Sequence, residues 1–194
     1  MKNKASETIE YYNDNAEDYF NYTVDVDMSE HYKRFLKYLP DNAYILDVGC
    51  GSGRDSMFFK SVGYRVKAID GSEKLCELAS AYLGEKVENK WFMEVDYTDL
   101  FDGIWANASL LHAERNTIDL VIEKLRKALK EKGIIYASFK YGDGDRVQGD
   151  RYYNDQNEET IKYLFKDFIV KELWKSDDKI PGRDEKWINI IAVK

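Results

Sequence analysis

The residues best suited to chemistry are Asp47-Val48-Gly49-Cys50-Gly51-Ser52-Gly53, followed by Asp70 at the end of a second apolar run. Three glycines at alternate positions sit behind Tyr44-Ile45-Leu46 and ahead of Met57, Phe58 and Phe59. Glycine lets a strand turn tightly into a helix and lets a ligand come close to the backbone. A carboxylate about 20 residues further on is suited to accept hydrogen bonds from ribose hydroxyls. The pattern points to a nucleoside-bearing ligand over the carboxyl edge of a parallel sheet.

The register of the glycines narrows the ligand. A phosphate-cradling P-loop needs Gly-Lys-Ser/Thr after the glycines, and here Gly53 is followed by Arg54-Asp55. The dinucleotide fingerprint Gly-x-Gly-x-x-Gly needs a third glycine for close packing around a pyrophosphate. That position falls on Arg54 in one register and Ser56 in the other. A nicotinamide oxidoreductase is weakened for the same reason.

The elements that must position these residues read as an α/β fold. Residues 5–20 carry Ile9, Tyr12, Ala16 and Tyr19/Phe20 at helical spacing, and Ser29–Leu39 reads as a second helix with Ser29 as its cap. Strands are predicted at 43–48, 65–70, 90–96, 103–107 and 134–139, and helices at 54–62, 73–83 and 115–131. Such alternation argues for right-handed crossovers and a doubly wound, mostly parallel sheet. After a helix near 158–166, Phe168–Trp174 and Trp187–Val193 follow without a helix between them, with Pro181-Gly182 as a turn signal. They read as an antiparallel hairpin at one edge, giving seven strands with one reversed. The expectation is a single domain over 1–194, with 1–40 a helical cap and 41–194 a Rossmann-like core.

The 194 residues are 44% hydrophobic and 34% charged with net charge −7, which fits a globular protein and disfavours a nucleic-acid partner. The start, Met1-Lys2-Asn3-Lys4, lacks the apolar core of a signal peptide, and no stretch is apolar enough to span a membrane. Cys50 and Cys76 form no Cys-x-x-Cys pair, so neither a disulfide framework nor a zinc site is expected and a cytoplasmic setting is. Nothing in the pattern bears on oligomeric state.

Asp-x-Gly-x-Gly-x-Gly with its ordered partners resembles the class I S-adenosylmethionine-dependent methyltransferases, over roughly residues 40–140. The resemblance implies that Gly49, Cys50, Gly51 and Gly53 meet the methionine end, with Asp47 available to its ammonium. It implies Asp70, with Gly71 and Ser72, at the ribose, and Asp96 with Tyr97 at the adenine. Asn107, Ala108 and Ser109 would end the fourth strand over the cofactor. Tyr12-Asn13-Asp14-Asn15-Ala16-Glu17-Asp18-Tyr19 looks like the lid segment of many relatives, with Tyr12 and Tyr19 as cofactor contacts. Gly53-Arg54-Asp55-Ser56, Gly63-Tyr64-Arg65-Val66 and Trp105-Ala106-Asn107-Ala108-Ser109-Leu110-Leu111-His112 resemble the small bacterial tellurite-resistance-related methyltransferases.

Residues 141–157 read as a long loop leaving the ligand-binding edge of the sheet, and such loops are often functional. Arg146, Arg151, Tyr152 and Tyr153 are candidates there for substrate contact, the arginines suiting an anionic acceptor. Asp143-Gly144-Asp145 lacks the ligand spacing of a calcium loop, so no metal is expected. His112 is placed to face a substrate rather than to act as a base. The expected reaction is in-line methyl transfer to a small molecule or metalloid oxyanion, with no dedicated catalytic residue required. The motif Asn/Asp/Ser-Pro-Pro-aromatic of DNA amino-methyltransferases is absent after Asn107. A non-catalytic sensor of adenosylmethionine or adenosylhomocysteine is the rival reading.

Overall fold

Three helices, α1 (Lys4–Asp14), α2 (Ala16–Thr23) and α3 (Ser29–Leu36), precede the first strand of this computed structural model, which describes residues 4–180 and 182–194. The chain continues through β1 (Tyr44–Val48), α4 (Arg54–Ser61), β2 (Arg65–Asp70), α5 (Glu73–Leu83), β3 (Glu88–Asn89) and β4 (Phe101–Ala106). Then come α6 (Ile118–Ala128), β5 (Leu129–Lys140), the hairpin β6 (Asp145–Gln148) and β7 (Arg151–Asn154), α7 (Glu158–Leu164), β8 (Ile169–Asp177) and β9 (Lys186–Val193). Met1–Asn3 and Pro181 of the expected Pro181-Gly182 turn lie outside the described residues.

Seven strands form one sheet in the order β3-β2-β1-β4-β5-β9-β8. Strands β1 to β5 pair in parallel, and β9 runs antiparallel to both β5 and β8. The expected seven-stranded, mostly parallel sheet is present, and the reversed strand lies one place in from the edge.

Side chains alternate across the sheet, so each central strand fills two cores. Leu46, Val48, Ile104, Ile135 and Ile190 pack with Val121, Leu125, Ile161 and Phe165 of α6 and α7 and the residue after it. Ile45, Trp105, Tyr136 and Ile191 face the other way, onto Tyr32 and Phe35 of α3 and Phe59 of α4. Trp105 stacks on Tyr136 at 4.0 Å and meets Phe35 at 5.2 Å. Gly103 makes this close approach feasible, because a Cβ there would come within 2.9 Å of the Phe35 ring. Glu172 of β8 holds the other end of α3, accepting from Arg34 at 2.8 Å and from the Tyr38 hydroxyl at 2.9 Å.

Five expectations differ, each for a local reason. The strand expected at 90–96 is only Glu88–Asn89, because Trp91 and Glu94 form a short helical turn. The Trp91 N–H donates to the Glu94 carboxylate at 2.7 Å and the Glu94 N–H to the Trp91 carbonyl at 2.8 Å, which competes with ladder pairing. The single helix expected at 5–20 breaks at Asn15, whose side chain donates to the Tyr11 carbonyl. Helix α6 is shorter than 115–131, since Leu129 turns extended and pairs with Phe101. The long loop at 141–157 contains the β6–β7 hairpin. Ser29 begins α3 rather than capping it; its N–H is taken by the Asp27 carboxylate at 2.9 Å.

Phe35 is wholly buried at this joint, whereas Leu120 on α6 is 46% exposed. Urea denaturation should find Phe35→Ala destabilised by about 3–5 kcal/mol and Leu120→Ala within about 0.5 kcal/mol of wild type.

Candidate active site

The turn after β1 is built from backbone that only glycine adopts without strain. Gly49, Gly51 and Gly53 have φ of 72°, 55° and 79°. The Gly49 and Cys50 N–H groups both donate to the Ile69 carbonyl, at 2.9 and 3.0 Å. Asp70 completes the turn: one carboxylate oxygen accepts the Gly51 N–H at 2.9 Å and the other the Ser72 N–H at 2.8 Å. Burial pushes the Asp70 carboxyl above its ordinary range, and these backbone donors pull it back. Ser72 caps α5 by accepting the Leu75 N–H at 3.1 Å.

Two cavities open beside this turn. The larger, about 700 Å³, is lined by Gly49, Cys50, Gly51, Asn107, Tyr136 and Arg151 among others. The smaller, about 40 Å³, is walled by Asp70, Gly71, Ser72, Trp91, Phe92 and Ser109. Tyr12, Tyr19, Gly49, Gly51, Ala108 and His112 line both, so these residues form the partition between them.

A Cβ at Gly49 would overlap the Ser109 Cβ, and one at Gly51 would lie 3.1 Å from the Tyr19 ring. The Ser109 hydroxyl is buried and has no hydrogen-bond partner among the described residues. A bare backbone cradle, a ribose-suited carboxylate and an orphaned hydroxyl on adjoining walls fit an adenosylmethionine-type group. They offer acceptors and donors to its sugar and amino-acid ends and demand no phosphate partner.

A second carboxylate sets the frame. Asp55, in the first turn of α4, is buried and accepts from the Tyr32 hydroxyl, Arg54 Nε at 2.7 Å, Trp105 Nε1 at 2.7 Å and the Asn107 amide at 3.2 Å. Burial alone would raise its carboxyl, but the Arg54 charge and these donors hold it below the usual range. Asp47 takes the opposite course. Burial, and then repulsion from Asp55, push its carboxyl up, while the Ser56 hydroxyl donates to it at 2.6 Å.

Helix α1 closes the site from above. Asn13 accepts the Ser72 hydroxyl at 2.8 Å, and Thr8 accepts the Tyr152 N–H at 3.0 Å. The Tyr12 hydroxyl lies 2.8 Å from His112 Nε2, while His112 Nδ1 lies 2.7 Å from the Tyr152 carbonyl. A carbonyl only accepts, so Nδ1 carries the proton and Nε2 accepts from Tyr12. Burial pushes the His112 pKa down to about 4, fixing this neutral form. The same helix places the Tyr12 ring edge-on to Tyr19 at 5.1 Å.

The fold gathers Tyr12, Tyr19, Gly49, Cys50, Gly51, Asp70, Gly71, Ser72, Asn107, Ala108, Ser109, His112 and Arg151 around the two cavities. Six expected residues are elsewhere. Asp47 lies beneath the turn, and Gly53 faces Ala79 and Leu83 of α5. Asp96 is exposed and paired with Lys90 at 3.0 Å, and Tyr97 donates to Glu88 at 2.9 Å. Both lie beyond the short turn that replaces the expected strand, so Trp91 and Phe92 take their place on the wall. Arg146 is bound to Asp155 at 2.7 Å. Tyr152 uses its backbone toward α1 and His112, while its hydroxyl accepts the Arg115 N–H at 2.9 Å. Asp55, Trp91 and His31 were not anticipated. Asp55 was legible only as part of Gly53-Arg54-Asp55-Ser56, and nothing in the local pattern marks the other two.

Among the described residues no group of His, Cys, Asp and Glu is arranged to hold a metal, and no helix is long and apolar enough to cross a membrane.

Residues 45–133 match the family described as a methyltransferase domain. The chain is 28% identical over 145 residues to the Bacillus subtilis (strain 168) protein named as methyltransferase YqeM, covering 67% of this chain and 56% of that protein. It thus spans little more than half of that relative's length. It is 23% identical over 181 residues to an uncharacterized methyltransferase of Staphylococcus carnosus (strain TM300), covering 86% and 87% of the two. The fold is that of 1,6-didemethyltoxoflavin-N1-methyltransferase from Burkholderia thailandensis, solved with 1,6-didemethyltoxoflavin and S-adenosylhomocysteine bound. The TM-score is 0.83 at 21% identity, over 98% of this chain and 88% of that one. The sequence match over residues 45–133 and the likeness of fold are both to methyltransferases.

Both histidines of the chain, His31 and His112, are buried and pushed down to about 4. The unfolded chain binds these protons near the ordinary histidine value of about 6.5. Their contribution to stability is therefore complete above about pH 6.5 and is lost as pH falls toward about 4. NMR titration of the folded protein should show no imidazole titrating between about pH 5.5 and 8, and His112 as the Nδ1–H tautomer. A midpoint near 6.5 for His112 would contradict the buried latch.

Proposed function

We propose that this protein transfers a methyl group from S-adenosylmethionine to a small molecule held in the larger cavity. The observation that carries this reading is the cradle of Gly49 and Gly51 with the unpartnered Ser109 hydroxyl, beside a roomy cavity that Gly49 and Gly51 also line. S-adenosylmethionine, when bound, supplies an electrophilic methyl group on a sulfonium.

In this reading Asp70 accepts from the ribose hydroxyls with the lone pairs that Gly51 and Ser72 leave free. The backbone of Gly49, Cys50 and Gly51 meets the amino-acid end, and Trp91 and Phe92 flank the base in place of Asp96 and Tyr97. The smaller cavity, at about 40 Å³, is well below the ~300–1,000 Å³ of ordinary ligand sites. Tyr12 and Tyr19 must therefore give way, which makes α1 and α2 a lid. Closed, the lid excludes water and strengthens the electrostatic contacts beneath it. The acceptor's own nucleophile reacts, so the protein contributes alignment rather than a nucleophile of its own. His112 serves as a wall against the acceptor, its Nε2 already engaged by Tyr12.

The small-molecule class is supported by a half-open cavity of about 700 Å³ and by the acidic net charge of −7. The metalloid oxyanions implied by the tellurite-resistance resemblance remain within the same reading and belong in the same screen. A labelled-methyl assay over metabolite pools and metalloid oxyanions should yield label in a low-molecular-weight product. Tight adenosylhomocysteine binding with no labelled product from any pool would favour a sensor instead. Asp70→Asn should weaken adenosylhomocysteine binding by about 10–100-fold in calorimetry, with cooperative unfolding retained.

A further inference from the structure

Five cationic side chains line the larger cavity, and their counter-charges differ. Arg54 is held by Asp55 at 2.7 Å, Lys140 by Asp178 at 3.1 Å and by Glu185, and Lys179 by Glu30 at 3.6 Å. Arg183 is exposed and lies over the Tyr22 ring. Arg151 is half-buried at the start of β7 and has no carboxylate within ion-pair distance among the described residues.

Its surroundings are aromatic instead. The guanidinium lies 4.5 Å from the Tyr11 ring centre, 5.5 Å from Tyr153 and 5.9 Å from Tyr12. Its Nε is buried and has no hydrogen-bond partner among the described residues. A guanidinium taken out of water without a countercharge or a full set of acceptors is costly. Ring faces and the Tyr12 hydroxyl recover part of that cost, but they leave Nε without an acceptor. The nearby Arg146 shows the alternative, with its own carboxylate, Asp155, at 2.7 Å.

We propose that Arg151 is the anchor for an anionic group on the methyl acceptor, and that the acceptor is an aromatic acid. The fork suits a carboxylate or another flat or tetrahedral oxyanion taken by paired N–H donors. Tyr11, Tyr153 and Trp187 line the same cavity and suit a planar body. This rests on the methyltransferase reading, since it names what that site receives.

The test is calorimetry with 4-hydroxybenzoate, anthranilate, phenyl phosphate and the two corresponding neutral amides, each with and without saturating adenosylhomocysteine. The acids should bind at least about 10-fold more tightly than the amides. Comparing the carboxylates with phenyl phosphate tells which anion the fork prefers. Arg151→Gln should remove the preference for acids, and Arg151→Lys should keep part of it through charge alone. Adenosylhomocysteine affinity and the unfolding midpoint should stay near wild type in a folded variant. Equal binding of acids and amides by the wild-type protein, no binding of any acid, or an acid preference that survives in Arg151→Gln would overturn the proposal. The wild-type comparison needs no variant to fold. Failure of adenosylhomocysteine itself to bind would count against the methyltransferase reading alone, because the acid preference is also read without it.

Discussion

The buried carboxylate of Asp55 is the contact on which the rest of the site depends. Its donors come from α3 (Tyr32), α4 (Arg54), β4 (Trp105) and the loop after β4 (Asn107). One charge therefore fixes the start of α4, and with it the exit of the glycine turn, against both the helical cap and the fourth strand. A buried charge is tolerable only when it is well satisfied, and removing a single partner from such a network typically costs several kcal/mol, about 3–5. Asn107, once oriented by Asp55, accepts the Ser138 hydroxyl at 3.0 Å, and Ser138 in turn accepts the Ala108 N–H at 2.8 Å. The backbone leading to Ser109 is thus held by the same network that holds the turn.

From that frame the division of the site follows. Asp70 pins the turn from the β2 side, and Ser109 comes across from the β4 side. Helix α1 lies over the gap between them through Asn13, Tyr12 and Thr8. Because Tyr152 presents its carbonyl to His112 and its N–H to Thr8, the β6–β7 hairpin and α1 are locked to one another. Helix α1, which covers the smaller cavity, is therefore coupled to the strand β7 that brings Arg151 to the larger one. Movement of α1 and α2 would be felt in both cavities.

Much of the frame is legible in sequence because its signals are local. Glycine spacing, the run into Asp70 and the left-handed Gly84 that ends α5 each act within a few residues. The third strand was not legible, since the bond from Trp91 to Glu94 overrides an apolar stretch that otherwise looks extended. The hairpin was hidden by its Asp- and Gly-rich composition, and Arg146 and Arg151 looked equivalent within it. Pairing separates them: Arg146 lies opposite Tyr153 and finds Asp155, while Arg151 lies opposite Gln148 and lies among tyrosines with no carboxylate beside it. Asp55 as a hub could not be read at all, because donors from positions 32, 54, 105 and 107 converge only once the sheet has formed.

The most direct test is a crystal structure of the protein with adenosylhomocysteine. The ribose hydroxyls should lie on the Asp70 carboxylate, the amino-acid end against the backbone of Gly49 to Gly51, and the sulfur should face the cavity that Arg151 lines. Ligand bound elsewhere, or an Asp70 carboxylate left without any contact to it, would contradict the account.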